Sequence, residues 1–208
     1  MGECFMYKAI ELDYSNLSPY LDRKVIEVHY RMYKEALDKL NKLLESVDYD
    51  YSMSIYDLIK NIDMFPLSVR GEILYYLSSV VNHTLYFYNI SNDGYIEPVG
   101  LIGRDIDKYF GSYDSFKREF KVKANELKGS GYTFLVRDDK GKLFIINTSN
   151  QDNPYYYGFE PVISLDLWEH AYFLQYEEKR SEYIDSFFKV IDFRKINKCY
   201  EKMVNKDK

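Results

Sequence analysis

The sequence predicts an α+β fold: an N-terminal antiparallel α-helical hairpin followed by an α+β domain with a small three-stranded antiparallel sheet. Three observations carry that expectation. Two long stretches, residues 22–47 and 68–88, repeat their apolar residues at helical spacing. A turn signal, Asn92-Asp93-Gly94, then closes the helical half. Beyond it, β-rich runs flank Asp138-Asp139-Lys140-Gly141, which is hairpin chemistry.

In the first stretch Val25, Val28, Met32, Ala36, Leu40, Leu43 and Leu44 form one apolar face, with charges opposite. Residues 61–66 supply a turn, and Ile73, Leu77, Val80, Val81, Thr84 and Leu85 give the second helix a broad apolar face. Two long helices on a short connector make an antiparallel hairpin, so the expected division is residues 1–92 and 93–208. Residues 100–110 and 112–127 read as shorter helices, with Ser112 as the N-cap of the second. Gly129-Ser130-Gly131 ends that period. Residues 132–136, 143–147 and 161–165 read as strands, 148–157 as a polar loop, and 168–176 and 181–191 as closing helices.

Composition narrows the function. The chain has 208 residues, 46% of them hydrophobic, and no apolar run near the roughly 20 residues of a membrane span. A net charge of −5 argues against a nucleic-acid surface, which needs a positive face. Met1 to Met6 carries no secretory pattern, so a cytoplasmic location is expected, with no membrane partner. Cys4 and Cys199 have no ligand-spaced neighbours and read as ordinary reduced thiols. Tyrosine is abundant, with 23 residues against 13 phenylalanines, which suits half-buried contacts that keep a polar end.

Histidine is scarce. The only three are His29, His83 and His170. The first two lie on the apolar seams of the two long helices, and the third follows Asp166 by four residues at a strand-to-helix junction, with Trp168 between them. Such placement points to one ion held by three imidazoles and a carboxylate. That donor set suits Mn, Fe, Co or Zn and does not choose among them.

The segment Asp166-Leu167-Trp168-Glu169-His170-Ala171-Tyr172 resembles the signature of the iron/manganese superoxide dismutases. Asn82-His83-Thr84-Leu85-Tyr86, Val28-His29-Tyr30 with Leu40-Asn41, Phe110-Gly111-Ser112, Gly129-Ser130-Gly131 and Asn150-Gln151-Asp152 are similar to that family in the same order. The resemblance implies a metal between the two halves, with His29, His83, Asp166 and His170 as ligands. It implies disproportionation of superoxide to dioxygen and hydrogen peroxide, hence an antioxidant role. It also implies that Gln151 bonds the metal's solvent ligand, that Trp168 walls the site, and that Glu169 reaches His170 of a second copy in a homodimer or tetramer. A glutamine at position 151, with Ser79 four residues before His83, resembles the manganese type, with iron possible.

Around these ligands the sequence departs from the pattern. The residue expected to gate substrate, eight after the first ligand, is Leu37; the histidine expected four after it is Tyr33; and a tyrosine from the opposite subunit is replaced by Phe173. Tyr33 is therefore a candidate to restore the lost hydroxyl, and Arg31 and Lys34 are candidates to steer an anion. The competing expectation is a metal-binding structural or assembly protein of the same fold with reduced or lost dismutase activity.

Overall fold

The computed structural model describes residues 6–206. Two long helices, α1 (Arg23–Ser46) and α3 (Leu67–Asn89), pack against each other as the hairpin. Their connector is longer than the sequence suggested and contains α2 (Ile55–Lys60) and a 3-10 turn at Ile62–Met64. Ser54 starts α2 by accepting a bond from the Asp57 N–H on its hydroxyl, which satisfies one orphan donor of the first turn.

The buried stripe of α1 comprises Val25, Ile26, His29, Tyr33, Ala36, Leu37, Leu40, Asn41 and Leu44. It lies about one position away from the apolar face read in sequence: Met32 is exposed and Val28 half-buried, whereas Tyr33 is fully covered. A tyrosine can lie inside when its hydroxyl finds partners, and a hydrophobicity count does not register that.

The second half runs α4 (Gly100–Phe110), α5 (Tyr113–Glu126), β1 (Gly131–Arg137), β2 (Leu143–Ser149), a 3-10 turn (Pro154–Tyr157), β3 (Glu160–Asp166), α6 (Glu169–Tyr176), α7 (Arg180–Val190) and α8 (Phe193–Lys206). Ser112 caps α5 as expected, its hydroxyl accepting from the Ser115 N–H. The sheet is antiparallel in the order β2-β1-β3, with Tyr132 facing Asp166 across one pair and Thr148 across the other. Every residue of β1 is buried, because helices cover the central strand. Gly131 opens that strand, where a Cβ would collide with the Thr148 carbonyl. Its own carbonyl accepts from the Leu167 N–H at 2.9 Å, which fixes the chain just after Asp166.

The end of α3 is clasped to the second half. Asn89 accepts the Ser164 N–H on its side chain and the Asp192 N–H on its backbone, Ile90 bridges Ile191, and the Ser91 hydroxyl donates to Asp192. Tyrosine hydroxyls tie further segments together: Tyr14 donates to the Phe87 carbonyl, Tyr30 to that of Ile10 and Tyr183 to that of Asp166. Cys199 is exposed and free, and Cys4 lies outside the described residues.

Candidate metal centre

Each half contributes two of the four predicted ligands. His29 stands on the buried stripe of α1, His83 near the end of α3, Asp166 at the last position of β3, and His170 in the first turn of α6. Their ligand atoms all lie within 4.8 Å of one another. Asp166 Oδ2 is 3.0 Å from His29 Nε2, 3.6 Å from His83 Nε2 and 3.4 Å from His170 Nε2. The nitrogens of His83 and His170 are 3.4 Å apart. Asp166, His83 and His170 thus form a near-equilateral triangle, with His29 closest to one corner. Metal bonds of about 2.1 Å meeting at 90–120° give donor separations of roughly 3.0–3.6 Å, the range of the four separations around Asp166, His83 and His170, so these residues could hold one transition-metal ion.

Orientation comes from outside the cluster. The Trp168 N–H donates to Asp166 Oδ1 at 2.8 Å, which turns Oδ2 toward the imidazoles. His83 Nδ1 lies 2.7 Å from the Ser79 carbonyl. A carbonyl only accepts, so Nδ1 carries the proton and Nε2 keeps its lone pair. The His170 ring stacks on Trp168, whose indole N–H donates to the Asn150 carbonyl.

Charge is arranged to suit a cation. Burial lowers the pKa of His29, outweighing the opposing pull of Asp166. Burial, and then the neighbouring His29, push His83 down to about 3. For Asp166 burial acts upward, but the charge of His170 and the hydrogen bonds from His170 and His29 prevail, and the carboxyl is held well below the usual carboxylate range. One fixed negative charge among nitrogen donors is a set that binds a divalent or trivalent ion.

Gln151 is buried beside the cluster. The Tyr132 hydroxyl donates to Gln151 Oε1 at 3.0 Å, and Asn82 Nδ2 donates to the Gln151 carbonyl at 3.2 Å. A cavity of about 150 Å³ between α1 and α3 leads from solvent to Gln151, His83 and His170 and is lined by Ala36, Lys39, Tyr76, Ser79 and Trp168. Glu169 is exposed and accepts from the Ser130 hydroxyl, apart from the cluster within this chain.

Three expectations are corrected by these positions. Tyr33 lays its ring against His83 at 5.9 Å, but its hydroxyl pairs with Thr84 Oγ1 and accepts from the Ile10 N–H, so it does not face the cavity. On the gate turn of α1 Glu35 and Ala36 line the cavity, while Leu37 lines a separate space with Arg31 and Lys34. The cation beside the cavity is therefore Lys39, which sequence reasoning missed. Its spacing from His29 and Ala36 on one helical face was the available signal. Tyr132 was also missed as the partner of Gln151, because only the strand register brings the two together.

Residues 5–91 match the profile described as the alpha-hairpin domain of iron/manganese superoxide dismutases, and residues 98–199 match that of the C-terminal domain. The chain is 36% identical to "Superoxide dismutase [Mn]" of Listeria monocytogenes over 189 residues, covering 90% of this chain and 93% of that protein. It is 37% identical to "Superoxide dismutase [Mn/Fe] 2" of Staphylococcus aureus with the same coverage, and 32% identical to "Superoxide dismutase [Mn] 3" of Leptolyngbya boryana, covering 91% of this chain and 80% of that protein. With both halves matched and a buried His3Asp cluster between them, the chain belongs to the iron/manganese superoxide dismutase family.

Proposed function

We propose that this protein is a superoxide dismutase that converts two superoxide anions and two protons into dioxygen and hydrogen peroxide at a single manganese ion, with iron as the alternative. The observation that carries this reading is the convergence of His29, His83, Asp166 and His170 from both halves of the chain onto one buried point. When bound, manganese or iron supplies a one-electron couple that accepts an electron from one superoxide and returns it to the next. The chain's own residues do the rest. Asp166 offsets the ion's charge, and burial favours the neutral form of His29 and His83.

Gln151, held by Tyr132, lines the cavity beside His83 and His170, where it would hydrogen-bond a solvent ligand of the ion and tune its potential. Trp168 supplies the apolar wall behind His170, and the narrow cavity limits entry to small species. Tyr33 acts through its ring against His83 and contributes no hydroxyl to the passage.

The working form is a homodimer or tetramer in which Glu169 reaches His170 of a second copy. Exposed Phe173 and Leu174 on α6 support a partner face beside Glu169. The two domains are residues 1–92 and 93–208, and the protein acts in the cytoplasm. Among the described residues no helix is long and apolar enough to cross a membrane.

Metal analysis paired with a superoxide assay tests the reading. Tightly held manganese or iron with activity well above that of free manganese is the expected result. Zinc in the site, or a loaded protein no faster than the free ion, would overturn it in favour of a structural metalloprotein.

A further inference from the structure

Lys39 lies where the cavity to the metal cluster opens between α1 and α3, and it is the cation among the residues that line it. The other charged lining residue, Glu35, has Arg31 3.9 Å away, and both are well exposed. No ion pair among the described residues involves Lys39. Its ammonium instead sits 5.3 Å from the centre of the Tyr76 ring on the facing helix. A carboxylate in that place would hold the ammonium and cancel its field. An aromatic face also holds it, but leaves the full positive charge exposed to solvent.

We propose that Lys39, seated on Tyr76, is the residue that selects and draws small anions into the passage of this otherwise acidic chain. The inference rests on the dismutase reading for the identity of the anion, superoxide, but not for the attraction itself. A single monovalent charge at a narrow mouth between low-dielectric walls raises the local concentration of anions of opposite sign, and salt weakens that effect. Arg31, whose guanidinium pairs with Glu35, and Lys34 line a different space and are not among the residues that line this passage.

The test compares wild type with Lys39→Gln, Lys39→Arg and Lys34→Gln, each loaded with manganese. Two quantities are read: the affinity for azide, a small anion followed by the visible absorption of the metal, and the second-order rate with superoxide as ionic strength is raised. Lys39→Gln is expected to weaken azide binding and slow superoxide about two- to fivefold at low salt and to flatten the salt dependence. Lys39→Arg is expected to restore both, and Lys34→Gln to leave both at the wild-type value. Equal effects of Lys39→Gln and Lys34→Gln, or an unchanged salt slope in Lys39→Gln, would overturn the assignment. If no form turns over superoxide, the dismutase reading fails, and the azide series still decides the role of Lys39.

Discussion

At the residue scale, the departures around the ligands resolve into specific exchanges of partner. The hydroxyl that bonds Gln151 from the protein side is a phenol, Tyr132, carried on the central strand. Replacing Tyr132 with Phe leaves Gln151 Oε1 buried without that donor, a loss of about 1–3 kcal/mol in urea unfolding of the metal-free protein. Metal content is expected to stay near wild type while turnover falls roughly tenfold, as for other groups that orient a metal site from outside it. Tyr33→Phe is the paired comparison: its hydroxyl is turned to Thr84 and Ile10, so stability drops but turnover stays within about twofold of wild type. A turnover loss in Tyr33→Phe equal to that in Tyr132→Phe would show that both hydroxyls serve the reaction. The cluster of His29, His83, Asp166 and His170 was legible in sequence as a candidate because histidine is scarce and each one sits in a patterned segment. The Tyr132 link was not, since it depends on which residues β1 and the loop after β2 bring face to face.

At the scale of elements, helix existence followed from periodicity and helix ends from caps. Ser112 begins α5 as its position before the apolar period predicted, with its hydroxyl on the Ser115 N–H. Ser112→Ala is expected to cost about 1 kcal/mol by denaturant titration and to leave metal affinity unchanged, because α5 carries no ligand. A drop in metal affinity would show that α5 helps hold the sheet in register. The connector helix α2 escaped the reading because six residues give too few turns for a period to show. α8 had a readable stripe in Phe193, Ile196 and Tyr200, all buried, yet the pattern was lost among lysines at the chain end. The rotation of the α1 stripe has a similar cause. Polar atoms that find partners inside, such as those of His29, Tyr33 and Asn41, belong to the buried face although a count of apolar residues leaves them out.

For the whole molecule, the buried cluster makes stability depend on pH. In the folded, metal-free chain His83 is pushed down to about 3, whereas an unfolded histidine titrates near 6.5. Between these values the unfolded chain takes up a proton that the folded chain refuses, so the stability present above about pH 6.5 is lost as pH falls toward 3. Asp166 works in the same sense at lower pH, because its carboxyl is held below the usual range when folded. The melting temperature of the metal-free protein is expected to be level from pH 7 to 8 and to fall on the order of 10 °C by pH 4. His83→Gln should flatten that fall, and a variant with the wild-type profile would place the proton uptake elsewhere. The ligands are also far apart along the chain. His29 and His83 are separated by 83 − 29 = 54 residues, and His83 and Asp166 by 166 − 83 = 83. A bound ion therefore closes two long loops, and in the chain-entropy picture each closure of that length restricts the unfolded chain by about 4 kcal/mol, as a disulfide would. A bound ion is thus a cross-link that a chelator can undo.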